Sequence, residues 1–272
     1  MFGTYWKKRD FSMLRKIGSF VSGLIIGTLG GLIGLGGAEF RLPVLIGFFR
    51  FPPLEAIILN KTMSLVVVAS ALVFRTKVIS FATIGNHWMV IVNLLAGSLI
   101  GAWLGASLAV KLRSKTLYRT IAVLLVIIAG VLLVGHQAAA DHIILVGGAF
   151  QIVLGIAAGF VIGIFAAILG VAGGELLIPT LILLFGVDIK LAGSLSLAIS
   201  LPTMLAGFAR YSQDNSFTAI GRNKLFVLIM ATGSLAGAFI GGRLLGIVPD
   251  TVLLPVLACI LVASSYKMWT HT

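Results

Sequence analysis

The chain has 272 residues, of which 59% are hydrophobic and only 10% charged, and its 20 Lys and Arg against 8 Asp and Glu leave a net charge of +12. Soluble domains carry roughly 25% charged residues, so water alone cannot solvate this surface and lipid is the natural solvent. Disorder, a collagen-like fibre and a disulfide scaffold are excluded, and the single Cys259 forms no intrachain bridge. The expectation is an all-α, polytopic integral membrane protein.

Residues 1–16 form a basic N-terminus, with Lys7, Lys8, Arg9, Arg15 and Lys16 against Asp10 alone. The apolar run that follows is too long for a signal peptide, and no small-residue cleavage pattern closes it, so it reads as an uncleaved first membrane segment with a cytoplasmic N-terminus. Apolar segments then follow at 17–35, 42–49, 54–74, 88–110, 117–134, 143–169, 176–185, 191–209, 225–245 and 252–269. A full helical span needs about 20 residues. Eight segments come near that, whereas 42–49 and 176–185 are too short, and each of these follows a glycine cluster. The basic residues lie mainly between the apolar runs, as in loops facing the cytoplasm and anionic lipid. With no aromatic-basic stripe and no soluble domain to carry one, nucleic acid is not an expected partner.

The two short segments expose an internal repeat. GLGGAEFRLPVLIGFF (34–49) aligns with GVAGGELLIPTLILLF (170–185) at an offset of 136 residues, and GSLIGAWLG (97–105) aligns with GSLAGAFIG (233–241) at the same offset. Domain boundaries follow: a first transmembrane repeat at 17–135, a linker at 136–142 and a second repeat at 143–272. Each repeat holds three full spans and one glycine-broken helix pair, about 8–10 membrane helical segments in all. If the broken pair enters and leaves on one side, each half crosses three times, and the loops carry thirteen basic residues on the cytoplasmic side against three outside. That asymmetry favours three crossings over four. An odd number of crossings turns the second half upside down, so the repeats are expected to be inverted, with both termini cytoplasmic.

Glycine-broken helices at matching positions of two halves point to the binding site of a secondary transporter. Irregular backbone at membrane depth is tolerated only where protein buries it or a wet cavity solvates it. A half-helix that starts there aims free N–H groups and its positive end at the cavity, which suits an anion. The breaks are placed at Gly36, Gly37, Gly173 and Gly174, with Pro43 and Pro179 just inside the helices that follow. A pair of tight-packing kinks is the plainer alternative. Glu39 and Glu175 share one repeat position and are two of only three glutamates. Ionisable groups at membrane depth are candidates for function, and these suit proton coupling; the alternative is that each acid merely complements the positive start of its own helix.

Arg41 and Lys61 are the cations nearest the breaks, and they are the candidates to replace an anion's hydration, together with Asn60 and Thr62; snorkelling to an interface is the alternative for both cations. The matching stretch of the second half, GSLSLAIS (193–200), supplies Ser194 and Ser196 as hydroxyl donors, or as helix–helix hydrogen bonds. Glycines four apart at Gly23 to Gly31, Gly97 to Gly105, Gly155 to Gly163 and Gly233 to Gly241 read as close-packing faces. Arg75 and Arg210, ending equivalent segments, read as interface anchors, and Trp6, Trp88 and Trp269 as an aromatic belt. His87, His136 and His142 lack metal-ligand spacing, so no metal or cofactor is expected. No Walker A loop, GxSxG, HExxH, CxxC or potassium-type filter occurs.

The paired elements at 34–43 and 170–179, in a chain of this length, resemble the TauE/SafE sulfite exporter family, in which each half carries a glycine-rich stretch leading to a proline near the start of a short helix. GGELLIP (173–179) is the closer match, while GGAEFRLP (36–43) shifts one residue between its glycines and its acid. The resemblance covers nearly the whole chain. It implies secondary transport of a small sulfur-containing anion, sulfite or an organosulfonate, outward across a prokaryotic plasma (inner) membrane. The reading of the residues keeps rivals open: a channel-like or uncoupled anion pathway, a membrane-embedded enzyme, or a structural subunit. Membrane lipid and a small anion are the expected partners, and a homodimer through the glycine faces is a further option.

Overall fold

The computed structural model describes residues 13–33, 37–75, 79–140, 148–244 and 250–270. Among them every regular element is helical: α1 (Met13–Ile33), α2 (Ala38–Gly47), α3 (Pro53–Arg75), α4 (Phe81–Asn86), α5 (Trp88–Lys111), α6 (Ser114–Ala140), α7 (Ala149–Leu169), α8 (Gly174–Phe185), α9 (Ile189–Tyr211), α10 (Thr218–Arg222), α11 (Lys224–Leu244) and α12 (Asp250–Thr270), with a 3₁₀ turn at Asn215–Phe217. Among the described residues six helices are long and apolar enough to cross a membrane: α3, α5, α6, α7, α9 and α11. The chain is therefore an all-α, multi-pass membrane protein.

Helix starts keep the repeat offset. Residues 13, 38, 53, 88 and 114 begin α1, α2, α3, α5 and α6, and 149, 174, 189, 224 and 250 begin α7, α8, α9, α11 and α12. Backbone detail keeps it too. Arg50 and Gly186, each just past a short helix, both take left-handed φ, 57° and 64°. That conformation costs an L-residue roughly 1–2 kcal/mol and costs glycine little. α4 and α10 were not visible as apolar runs because both are short and lie outside the lipid-length pattern.

Two seams of small residues join the halves. α1 lies along α11, and α5 lies along α7. A methyl group on Gly23 or Gly27 would strike the backbone of Met230 and Ser234, and one on Gly233 or Gly237 would strike Phe20, Leu24 and Thr28. In the second seam Gly97, Gly101 and Gly105 meet the backbone of Ile156, Phe160 and Ile164, while Gly159 and Gly163 meet Leu94 and Ser98. These contacts advance together along both chains, so the paired helices run parallel. Lipid tails are as apolar as leucine, so such close backbone approach, rather than hydrophobic burial, is what holds membrane helices together.

Equivalent helices also meet. Ser265 Oγ donates to the Ala122 carbonyl at 2.8 Å, and the Arg119 guanidinium lies 5.5 Å from the Trp269 ring. Contacts that retreat on α12 as they advance on α6 make this pair antiparallel. α3 and α9 cross likewise. Lys61 near the start of α3 faces Gly207 near the end of α9, and Leu72 near the end of α3 packs into the cluster of Leu191 and Leu195 near the start of α9.

Candidate functional site

Both short helices begin at a glycine in the left-handed region, Gly37 with φ 68° and Gly173 with φ 81°. Only glycine takes that turn without strain. At Gly37 a side chain would also lie 2.5 Å from the Ile26 carbonyl. The turn opens each short helix within the protein interior, and α7 ends before it at Gly170, also left-handed with φ 66°. α2 starts at Ala38 and α8 at Gly174, earlier than their apolar runs, so the acids fall in the first turn. Pro43 and Pro179 are the sixth residues of these helices, in the second turn. A proline there cannot donate to the carbonyl four residues back. In each half that carbonyl belongs to the glutamate, Glu39 or Glu175. Gly36 lies outside the described residues.

Glu39 and Arg41 are both fully buried. The Arg41 guanidinium donates from Nη1 to Asn60 Oδ1 at 3.4 Å and to Ser64 Oγ at 3.2 Å, and from Nη2 to Ser234 Oγ at 3.3 Å. Every one of these acceptors is neutral, the contacts are long, and Nε has no partner among the described residues. Hydrogen bonds of an ionised group are strongest when short and made to the opposite charge. The guanidinium is thus held in place but not neutralised by these bonds. Neither carboxyl oxygen of Glu39 has a donor among the described residues, and the same is true of Glu175 Oε2. The carboxyls of Glu39 and Glu175 lie close enough to act on one another electrostatically, and Arg41 acts on Glu39 in the same way. The two acids that the repeat pairs in sequence therefore face a common space.

Asn60 ties the two breaks. Its Nδ2 donates to the Ala38 carbonyl at 3.0 Å, at the start of α2, and to the Leu169 carbonyl at 3.1 Å, at the end of α7. Tyr211 adds a bond from its hydroxyl to the Ala167 carbonyl at 3.0 Å. Helix ends leave carbonyls without partners, and buried ones must be satisfied. Asn60 does this for Leu169, and Tyr211 adds a second donor to the Ala167 carbonyl, which also accepts from the Gly170 N–H at 3.1 Å.

Not all the candidates converge. Lys61 is buried but points toward α9, away from the face of α3 that carries Asn60 and Ser64. The hydroxyls of Thr62, Ser194 and Ser196 donate to Ile58, Lys190 and Gly193 carbonyls of their own helices. Arg210 is held by Ser107 Oγ at 2.8 Å, and Trp88 and Trp269 are exposed. The side chains of Arg75 and His136, and all of Trp6 and His142, lie outside the described residues. Ser64, Ser98, Ser200 and Ser234 were not singled out from the sequence. The signal was present: Ser64 pairs with Ser200, and Ser98 with Ser234, at the offset of 136.

Discontinuous helices that start inside a multi-pass bundle, with buried charge gathered at their ends, are the hallmark of membrane transporters. The family model for Sulfite exporter TauE/SafE matches residues 15–268, and the chain belongs to that family of membrane transporters. It is also 30% identical over 105 residues to the "Probable membrane transporter protein YunE" of Bacillus subtilis (strain 168). That match spans 38% of this chain and 36% of the relative. No solved structure matches.

Proposed function

We propose that this protein exports a small sulfur-containing anion, sulfite or an organosulfonate, across a prokaryotic plasma membrane by proton-coupled alternating access. The observation that carries this reading is Arg41. It is a fully buried guanidinium whose hydrogen-bond partners among the described residues are all neutral oxygens, and it sits beside two helix starts. No carboxylate hydrogen-bonds to it among the described residues, so an arriving anion can make the short charged bonds that the neutral oxygens do not. A pyramidal oxyanion offers the acceptors that Asn60, Ser64 and Ser234 supply only at long range. Family membership supports the substrate class, and the likeness to the probable membrane transporter of Bacillus subtilis supports transport.

The glutamate pair supports proton coupling. Two negative charges in a dry space repel strongly, so the pair favours one proton held between them. An anion arriving at Arg41 and a proton arriving at the pair would then travel with little net charge. Inversion of the repeats is supported by the antiparallel run of the equivalent pairs α3 with α9 and α6 with α12, and cytoplasmic termini by the basic loops. The rocking of one half against the other about the breaks would expose the site to each side in turn.

The test is sulfite flux in proteoliposomes with and without an imposed pH gradient. Wild type is expected to accumulate sulfite against its gradient. Glu39→Gln and Glu175→Gln are each expected to keep downhill flux and lose gradient-driven accumulation. Downhill flux in wild type that ignores pH would contradict coupling and leave an uncoupled anion pathway.

A further inference from the structure

Lys61 does not belong to the Arg41 cluster, although the two residues were grouped from sequence. Arg41 engages Asn60 and Ser64, one helical turn apart on a single face of α3. Lys61 follows Asn60 by about 100° around the same helix. Its side chain is 1% exposed, and Nζ has no hydrogen-bond partner among the described residues. It faces the seam between α5 and α9. A methyl group at Gly207 would lie 2.9 Å from Nζ and 3.7 Å from the Ala102 carbonyl. The repeat shows that this space is specific to the lysine. The equivalents of Lys61 and Gly207 are Leu197 and Ala71, so the half that has leucine keeps the facing methyl and the half that has lysine drops it.

The seam is polar on both sides of this ammonium. One turn before Gly207 and Ala102, Ser98 Oγ and Thr203 Oγ1 are hydrogen-bonded at 2.7 Å. Thr203 donates onward to the Ile199 carbonyl, so Ser98 supplies the proton of that pair and can turn it toward an oxyanion. In the other direction lies half-buried Arg210, its Nε bound to Ser107 Oγ at 2.8 Å, and one turn past Ser107 lies exposed Lys111. Positive charge thus steps from the interior to the basic face at graded depth. Across α3, α5 and α9 the only acid is Glu55, and Arg222 engages it at 2.7 Å.

We propose that Lys61, with the Ser98 hydroxyl and Arg210, forms a second anion station on the α5/α9 seam, separate from Arg41 and lying between it and the basic face. Its ligand is a small sulfur oxyanion, drawn in by Arg210 and Lys111 and handed from Lys61 toward Arg41. This rests on the reading of the chain as an anion transporter.

Equilibrium binding of radiolabelled sulfite to the purified full chain tests it, with methanesulfonate as a second probe. Wild type is expected to bind two equivalents. Lys61→Met is expected to lose one and keep the other at unchanged Kd, Arg41→Leu to show the converse, and Lys61→Arg to retain both. Gly207→Ala crowds only the flexible end of Lys61, and it is expected to weaken the same station roughly tenfold with thermal stability unchanged. A single equivalent in wild type that Lys61→Met leaves intact overturns the inference while sparing the transporter reading. No binding of either probe by wild type contradicts the transporter reading, and the inference falls with it.

Discussion

The two halves of this chain are alike in their glycine turns, paired acids and packing faces and unlike in the fully buried cations at the centre. Gly37 and Gly173, Glu39 and Glu175, Pro43 and Pro179, Ser64 and Ser200, and Ser98 and Ser234 all recur at one offset. Arg41, Asn60 and Lys61 do not: their equivalents are Leu177, Ser196 and Leu197. Duplication preserved the glycine turns, the acids and the packing faces, and among the described residues the fully buried cations, Arg41 and Lys61, both stand in the first half. The equivalent serines show the consequence. Ser234 supports Arg41 on one seam, and Ser98 lies one turn from the Ala102 and Gly207 positions that face Lys61 on the other. A fold can be symmetric while its binding chemistry is not.

The comparison can be broken first at its symmetric part. Gly27→Ala and Gly97→Ala each force a methyl into the backbone of the other half. Each is expected to cost about 1–3 kcal/mol, and to cost the two seams equally. Thermal unfolding in detergent reads this, and a seam that tolerates alanine would show that the parallel pairs are not what joins the halves.

Next comes the asymmetric tie. Asn60→Ser installs the residue of the other half and removes the bonds to Ala38 and Leu169. Two buried carbonyls then lose a donor, and the expected loss is about 1–3 kcal/mol. Hydrogen exchange should rise at the start of α2 and the end of α7 together. A rise at only one of them would mean that Asn60 does not couple the breaks.

The smallest effect sharpens the likeness of the halves. Arg50 sits in a left-handed turn where the other half has Gly186. Arg50→Gly is expected to raise stability by up to about 1 kcal/mol, read from the unfolding midpoint. A drop would show that the Arg50 side chain contributes more than its backbone costs.

Most of the architecture was legible because lipid imposes a strong pattern. The long segments fall within a few residues of α1, α3, α5, α9, α11 and α12, and the repeat offset recurs in the helix starts. α2 was placed late because hydropathy sees Glu39 and Arg41 as an interruption, whereas the backbone sees a glycine turn followed by good helix formers. The site was half legible. The paired glutamates could be found from the offset, and they share a space. The hydroxyl donors could not be ranked, because a serine that bonds to its own helix and one that reaches across a seam look alike in sequence. Lys61 was grouped with Arg41 by proximity in the chain, although consecutive helical residues face different neighbours.

The most direct test of the account is sulfite flux by Arg41→Leu, the substitution that makes the first break match the second. Leucine fills the interior without a charge, so the unfolding midpoint is expected to hold or rise. Flux is expected to fall at least about a hundredfold, since bonds to a buried charge contribute roughly 1.5–3 kcal/mol each. Folded protein that still transports sulfite at the wild-type rate would contradict the claim that the buried Arg41 carries the anion.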